Sequence, residues 1–264
     1  MSLVLQPIRS IRGGRLTTYT DRYRVACLLS WLPCNLGWLL RTFGSDKQRA
    51  EEHAYGPTYH ALFRGFRYKR IKLMEIGVLD GASLLAWRAF FPRARIVGCD
   101  IEPKDRFAIG RIQTRVMDQS SAAELAKVGS EEGPFDIIID DGSHLSSHQI
   151  ISFYDLFERI TPNGIYIIED VQTSFWPGHF GGKNINSPAF QQTCVGEFLE
   201  LAKYVNYSEF RSADQVDQRR LECAKRITRI AFEHNLIVIH RGDNNMPSNY
   251  ERQARANNYW KDRQ

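Results

Sequence analysis

Four carboxylates and an imidazole gather in two short runs of this sequence, Asp140-Asp141-Gly142-Ser143-His144 and Glu169-Asp170. Each follows an apolar stretch of the kind that forms a strand buried on both faces of a parallel sheet. Acids at the carboxyl ends of neighbouring strands lie where open α/β sheets bind ligands. Crowded carboxylates raise each other's pKa unless a cation neutralises them. Oxygen donors without a cysteine favour Mg2+, or Mn2+, over zinc. The plain alternative is helix capping or pairing with arginines: Asp141 and Ser143 can cap a helix starting near Leu145. That accounts for one acid and leaves the others. His144 stands at the same place, and neutral imidazole is the natural proton acceptor near neutral pH. His144 and His148 would share a helix face, which invites a zinc pair. No glutamate follows the first histidine, as a metalloprotease helix requires, so that reading is set aside. His53, His60, His148, His234 and His240 read as structural or surface residues. Past the second run lies Thr173-Ser-Phe-Trp176-Pro-Gly178-His179-Phe180-Gly181-Gly182-Lys183. Its glycines and aromatics suit a lid, and the loop 173–188 is read as one.

A second constellation precedes the acids. Glu75-Ile76-Gly77-Val78-Leu79-Asp80-Gly81-Ala82-Ser83 connects an apolar run to a helix-like stretch. Glycines there let the backbone turn sharply and approach a ligand closely. Asp100 closes the next apolar run, about 20 residues on, where an acid can bind both hydroxyls of a ribose. The turn is not a dinucleotide fingerprint. Its GxG pair is absent, and Glu75 and Asp80 would repel a pyrophosphate. A ligand with an adenosine ribose and a cationic tail fits better, and S-adenosylmethionine is one. Asp140, beside Asp141, would face the cofactor's amino group or a strand neighbour, because adjacent strand residues point oppositely.

The elements that must position these groups follow from hydrophobic periodicity. Strands are expected at 71–77, 94–100, 112–117, 135–141 and 164–170, and helices at 83–91, 122–128, 146–160 and 190–204. That alternation predicts a parallel sheet covered on both faces. Apolar runs at 226–234 and 236–241, joined by almost nothing, predict an antiparallel hairpin. Residues 45–70 read as one helix with a charged entry. The expected organisation is a helical arm over 1–42, a main α/β domain over 43–244 and a polar, frayed tail over 245–264.

Composition bounds the rest. A chain of 264 residues that is 43% hydrophobic and 25% charged is ordinary globular protein, which excludes disorder and low-complexity arrays. The net charge of +5 and pI near 9.0 permit an anionic partner without requiring one. Cys27, Cys34, Cys99, Cys194 and Cys223 are odd in number and form no CxxC pair. They read as reduced thiols of a cytoplasmic protein. Residues 25–40, preceded by Arg9, Arg12, Arg15, Arg22 and Arg24, superficially resemble a charged leader and apolar core. Pro33 and Asn35 interrupt them, and they fall short of the roughly 20 residues of a spanning helix. A helix pair at an oligomer contact is the preferred reading, with membrane association the lesser one.

These motifs resemble the metal-dependent sugar O-methyltransferases, in particular the mycinamicin and tylosin deoxysugar enzymes and rhamnosyl O-methyltransferases. The resemblance rests on Gly44-Ser-Asp-Lys47 with Tyr55 and Tyr59, Glu75-Ile-Gly77, Asp100, Ile139-Asp140-Asp141-Gly-Ser-His144 and Ile168-Glu169-Asp170-Val-Gln-Thr-Ser-Phe-Trp176. It covers about residues 43–241. It implies a class I, Rossmann-like methyltransferase fold: a three-layer sandwich on a seven-stranded, mostly parallel sheet of order 3-2-1-4-5-7-6. It further implies S-adenosylmethionine contacts from Tyr59, Glu75, Gly77, Ser83, Asp100, Asp118, Gln119, Ser120 and Asp140. Asp141, Glu169 and Asp170 would hold Mg2+, and His144 would be the base. The implied acceptor is a sugar or glycosylated natural product with vicinal hydroxyls. Cephalosporin hydroxylase-like proteins share similar motifs.

Two other classes compete. Phe63-Arg64-Gly-Phe66-Arg67-Tyr68-Lys69-Arg70-Ile-Lys72 interleaves cations and aromatics as RNA-binding surfaces do. Cations at a helix C-terminus are the simpler account, and no nucleic-acid partner is expected. A binding scaffold without catalysis is disfavoured because base and ligand types are all present. The apolar arm argues for a homo-oligomer.

Overall fold

The computed structural model describes residues 18–48, 53–178, 180–210, 216–250 and 252–253. The chain divides into two compact units, Met1–Gly142 and Ser143–Gln264.

The first unit opens with α1 (Tyr19–Leu29) and α2 (Leu36–Phe43). Pro33 cannot continue a helix, and the Asn35 side chain accepts from Trp38 N to start α2 afresh. Gly44, at φ 76°, ends it. Leu36, Leu39, Leu40 and Phe43 form the buried face of α2. Both helices pack on α4 (Ala82–Phe90), every residue of which is buried. The segment 45–70 is not one helix. It forms a 3₁₀ turn at Asp46–Gln48, then α3 (Gly56–Phe63) with a proline in its first turn, then turns to residue 69. A Cβ on Gly56 would come within 2.6 Å of Gly37 Cα, so α3 starts where two backbones nearly touch. Arg67 is buried, donates to the carbonyls of Cys34 and Leu32, and stands 4.8 Å over the Phe90 ring. Lys72 donates to the Glu132 carbonyl. These two cations of the basic segment therefore serve the unit's own packing.

Four strands follow: β1 (Lys72–Ile76), β2 (Arg95–Asp100), β3 (Ile112–Val116) and β4 (Phe135–Asp140), with α5 (Ala122–Glu132) between the last two. They run parallel in the order β3-β2-β1-β4. Ile76 pairs with Cys99 on one side and Asp140 on the other. The strand ends are therefore level, and Glu75, Asp100 and Asp140 emerge at one edge.

The second unit holds α6 (Ser146–Leu156), β5 (Ile160–Glu169), α7 (Cys194–Tyr204), α8 (Gln218–Ala224), β6 (Ile227–Glu233) and β7 (Leu236–Arg241). Its strands are antiparallel in the order β5-β7-β6, with Asn235 at φ 60° in the expected hairpin turn. The two orders are the two halves of the one the resemblance implies. α6 stops at Leu156 rather than 160, and β5 begins four residues before its expected start. Pro162, which lacks an N–H, and Asn163, at φ 68°, bar the helix from continuing there, and the Arg241 guanidinium donates to the carbonyls of Phe157, Glu158 and Ile160. α7 starts at Cys194, after a 3₁₀ turn at Pro188–Gln192, because the Thr193 hydroxyl caps it by accepting from Gly196 N. Glu197 on α7 accepts two bonds from Arg220 and one from Tyr154, joining α6, α7 and α8. The tail is not frayed at its start: Ser248 Oγ and Asn249 N donate to Glu209. Residues 254–264, and Arg9, Arg12 and Arg15, lie outside the described residues. No helix among the described residues is long and apolar enough to cross a membrane.

Replacing Arg67 by Met leaves the buried Cys34 carbonyl without this donor. Arg67→Met is expected to lower stability by about 2 kcal/mol, read as a shifted urea midpoint at unchanged slope.

Candidate active site

Glu75, one residue before the end of β1, is fully buried. Its carboxylate accepts from Ser83 Oγ (2.8 Å) and Trp87 Nε1 (3.1 Å), both on α4, and Lys47 Nζ lies 3.4 Å away. Burial pushes its pKa up to about 7 against the pull of the Lys47 ammonium. Ser83, an expected cofactor contact, thus spends its hydroxyl on Glu75. Gly77 has φ 89°, and a Cβ there would fall 1.9 Å from the Asp141 carbonyl oxygen, so no other residue fits. Asp100, the expected ribose acid, also fastens the glycine turn: its Oδ2 accepts from Val78 N at 2.9 Å and its Oδ1 from Glu102 N. Asp80 caps α4 through Ala82 N.

Tyr59 is buried against Phe63 and Trp87. Asp118 accepts from Ser120 N and Oγ in the turn before α5. Next to it, Gln119 Nε2 donates to Asp140 Oδ1 at 2.6 Å, with both residues buried. Asp140 is therefore held by a residue from the turn after β3, a strand that does not adjoin β4.

Asp141 follows β4 and accepts at Oδ2 from Lys47 Nζ, an ammonium only 2% exposed. In the second unit, Leu145 is the N-cap of α6, and Ser143 Oγ accepts from Leu145 N and hydrogen-bonds His148 Nδ1 at 2.8 Å. His148 is thereby committed to Ser143.

In the second unit, His144 Nε2 lies 3.8 Å from Asp170 Oδ2. Both residues adopt left-handed backbone, at φ 59° and 56°. Such conformations cost non-glycine residues about 1–3 kcal/mol and cluster at functional sites. His144 Nδ1 is buried with no hydrogen-bond partner among the described residues, which leaves Nε2 as the nitrogen facing the acid. Glu169 is buried, and its carbonyl accepts from Gln149 Nε2 at 2.9 Å. Thr173 Oγ1 lies 2.8 Å from the His144 carbonyl oxygen and 2.9 Å from that of Asp170. Within the second unit, His144 and Asp170 thus bring an imidazole nitrogen and a carboxylate oxygen, two kinds of metal ligand, to one place. The loop after Asp170 exposes Phe175 and Trp176 and is held by Lys183 N donating to Ser174 O, while His179 lies outside the described residues.

The glycine turn and the acidic strand ends have a counterpart in known sequences: residues 74–171 match the family described as a methyltransferase domain. The structure of MycE methyltransferase from the mycinamycin biosynthetic pathway, in complex with Mg and SAH, superposes with a TM-score of 0.75 at 33% identity, covering 81% of this chain and 56% of that one. The chain has the class I methyltransferase fold. Among sequence relatives, mycinamicin VI 2''-O-methyltransferase of Micromonospora griseorubida is 36% identical over 208 residues, 73% of this chain and 49% of the relative. A rhamnosyl tetracenomycin-C 2'-O-methyltransferase of Streptomyces olivaceus is 37% identical over 184 residues, 67% and 47% of the two chains. The chain thus spans about half the length of these curated relatives.

Sequence reasoning gave no role to Trp87, Gln149 or Thr173, and quoted Lys47 only within a motif. Their sequence separation from their partners, 12, 20, 29 and 94 residues, hid them.

Glu75 yields a pH test. Its folded pKa lies above the unfolded carboxylate value, so its contribution to stability is present below about pH 4.5 and is lost as pH rises through about 7. The melting temperature of the wild type, relative to Glu75→Gln, should fall between pH 5 and pH 7.5. Separately, Gly77→Ala should fail to accumulate as folded protein, checked by circular dichroism.

Proposed function

We propose that this methyltransferase uses S-adenosylmethionine and Mg2+ to methylate a hydroxyl of a sugar or glycosylated natural product, with His144 as base. The observation that carries the reading is the imidazole of His144 held against the Asp170 carboxylate, three residues after Asp141. The donor set suits a hard divalent cation: carboxylates and an imidazole without a thiolate. The glycine turn suits the cofactor, since Asp100 at the end of β2 fixes that turn through Val78 N, where a ribose acid would stand. Relatives named as sugar O-methyltransferases, and a neighbour described with Mg and SAH, support the same reading.

When bound, S-adenosylmethionine supplies the methyl group and Mg2+ lowers the pKa of a chelated hydroxyl. Asp141, Glu169 and Asp170 would hold the ion. Glu75, Gly77, Asp100 and the Asp118–Ser120 turn would seat the cofactor, with Gln119 and Asp140 fixing each other beneath it and Tyr59 packing behind. His144 would accept the acceptor's proton at Nε2. The exposed rings of Phe175 and Trp176 offer apolar surface to a sugar face. Exposed Leu28, Trp31 and Leu32 on the arm favour a homo-oligomer. Thiols without a disulfide favour a cytoplasmic setting.

Methyl transfer from S-adenosylmethionine to a rhamnoside or macrolide-glycoside acceptor should stop with EDTA and return with Mg2+. Chelator-insensitive turnover would remove the metal from the mechanism. His144→Ala should lower kcat by about 10²–10⁴-fold with S-adenosylhomocysteine affinity retained; surviving turnover means another group is the base.

A further inference from the structure

We propose that Thr173 is a positioning residue that holds the His144 imidazole against the Asp170 carboxylate. The inference rests on the reading of that pair as part of the reacting centre. Its hydroxyl, on a residue only 2% exposed, sits between two carbonyl oxygens, His144 O at 2.8 Å and Asp170 O at 2.9 Å. Both carbonyls belong to residues in left-handed backbone. Strained conformations of this kind persist only when the surroundings over-determine them. Thr173 N also donates to Asp170 O, at 3.2 Å, so that carbonyl already has a donor and the hydroxyl proton is available to His144 O. One side chain therefore ties the backbone of the imidazole, 29 residues earlier in the chain, to the backbone of the acid it faces. A second tie runs alongside, from Gln149 Nε2 to the carbonyl of Glu169, the residue before Asp170.

A serine or threonine three residues after an acceptor often bonds back to it, so the Asp170 contact alone would be local turn chemistry. The His144 contact is not local. No turn preference produces it, and its effect is to fix where the imidazole begins its reach. Loss of the hydroxyl lets the His144 backbone relax from its left-handed conformation and swings the ring away from Asp170. Displacements of about 1 Å at such centres cost about 10²-fold, and supporting partners behind metal ligands are worth about 10–100-fold in metal affinity.

The test uses Thr173→Val, which keeps shape and removes the hydroxyl, with Thr173→Ser as rescue and Thr173→Ala as a second deletion should Val not fold. Three quantities are read: Mn2+ affinity by electron paramagnetic resonance, S-adenosylhomocysteine affinity by calorimetry, and the His144 ring proton resonance, assigned with His144→Gln. The expected result is Mn2+ binding weakened about 10-fold, a displaced His144 resonance and unchanged S-adenosylhomocysteine affinity, with Ser restoring all to wild type. Wild-type Mn2+ affinity and resonance in Thr173→Val overturn the inference. So does parallel loss of Mn2+ and S-adenosylhomocysteine binding, which marks a general structural role. A wild type that binds no Mn2+ sinks the metal reading instead, and the His144 resonance then decides this inference by itself.

Discussion

A buried ammonium between two carboxylates is the interaction on which the acidic edge of this protein depends. Glu75 and Asp141 end neighbouring strands β1 and β4, and Lys47 reaches both from the segment before α3. Two uncompensated acids withdrawn from water would each cost several kcal/mol, and in practice one would take a proton. With Lys47 inserted, the pair becomes a fixed charge arrangement. Burial still wins at Glu75, whose pKa stands near 7 despite the cation. The surrounding bonds from Ser83 and Trp87 show how much of α4 is devoted to keeping that carboxylate in one orientation. This explains why α4 is buried all round, covered by the arm helices on one side. The arm is thus part of the support for the acidic edge, and Arg67, bonded to the turn between α1 and α2, fastens it there.

The second unit solves a different problem by different means. Its imidazole and carboxylate are set by backbone conformation more than by charge. Asp170 leaves β5, and His144 approaches α6, in left-handed backbone, so each projects at an angle that strand or helix geometry would not give. Side-chain bonds to backbone carbonyls, from Thr173 and Gln149, hold those exits in place. Left-handed backbone at two non-glycine residues that face each other persists only where rigid, buried polar groups hold it. Thr173 and Gln149 are both buried, and the loop that follows is free to carry exposed aromatics.

Much of the fold was legible because it follows from periodicity. The strands around β1, β2, β3 and β4 and the terminal hairpin read directly from apolar runs and turn residues, since a strand buried on two faces must be apolar throughout. Errors fell at element ends. Pro162 and Asn163 bar α6 from continuing, Thr193 delays α7, and Gly56 meeting Gly37 breaks the segment 45–70 into a turn and a short helix. The acids were equally visible, yet their immediate partners were not. Asp141 read as a metal ligand, with helix capping the plain alternative, and its bond to Lys47, 94 residues away, left no trace in the sequence. Asp140 read as facing a strand neighbour or cofactor, and is held by Gln119.

Residue type and spacing by themselves determined that this chain is an α/β protein with acids and an imidazole at the ends of its strands. Apolar alternation, glycine turns and like-charge crowding are local properties that survive in a linear string. Which carboxylate meets which cation, and where His144 points, only the tertiary structure decided. Those outcomes depend on contacts between residues far apart in the chain and on left-handed backbone at two non-glycine positions, and neither leaves a local signature.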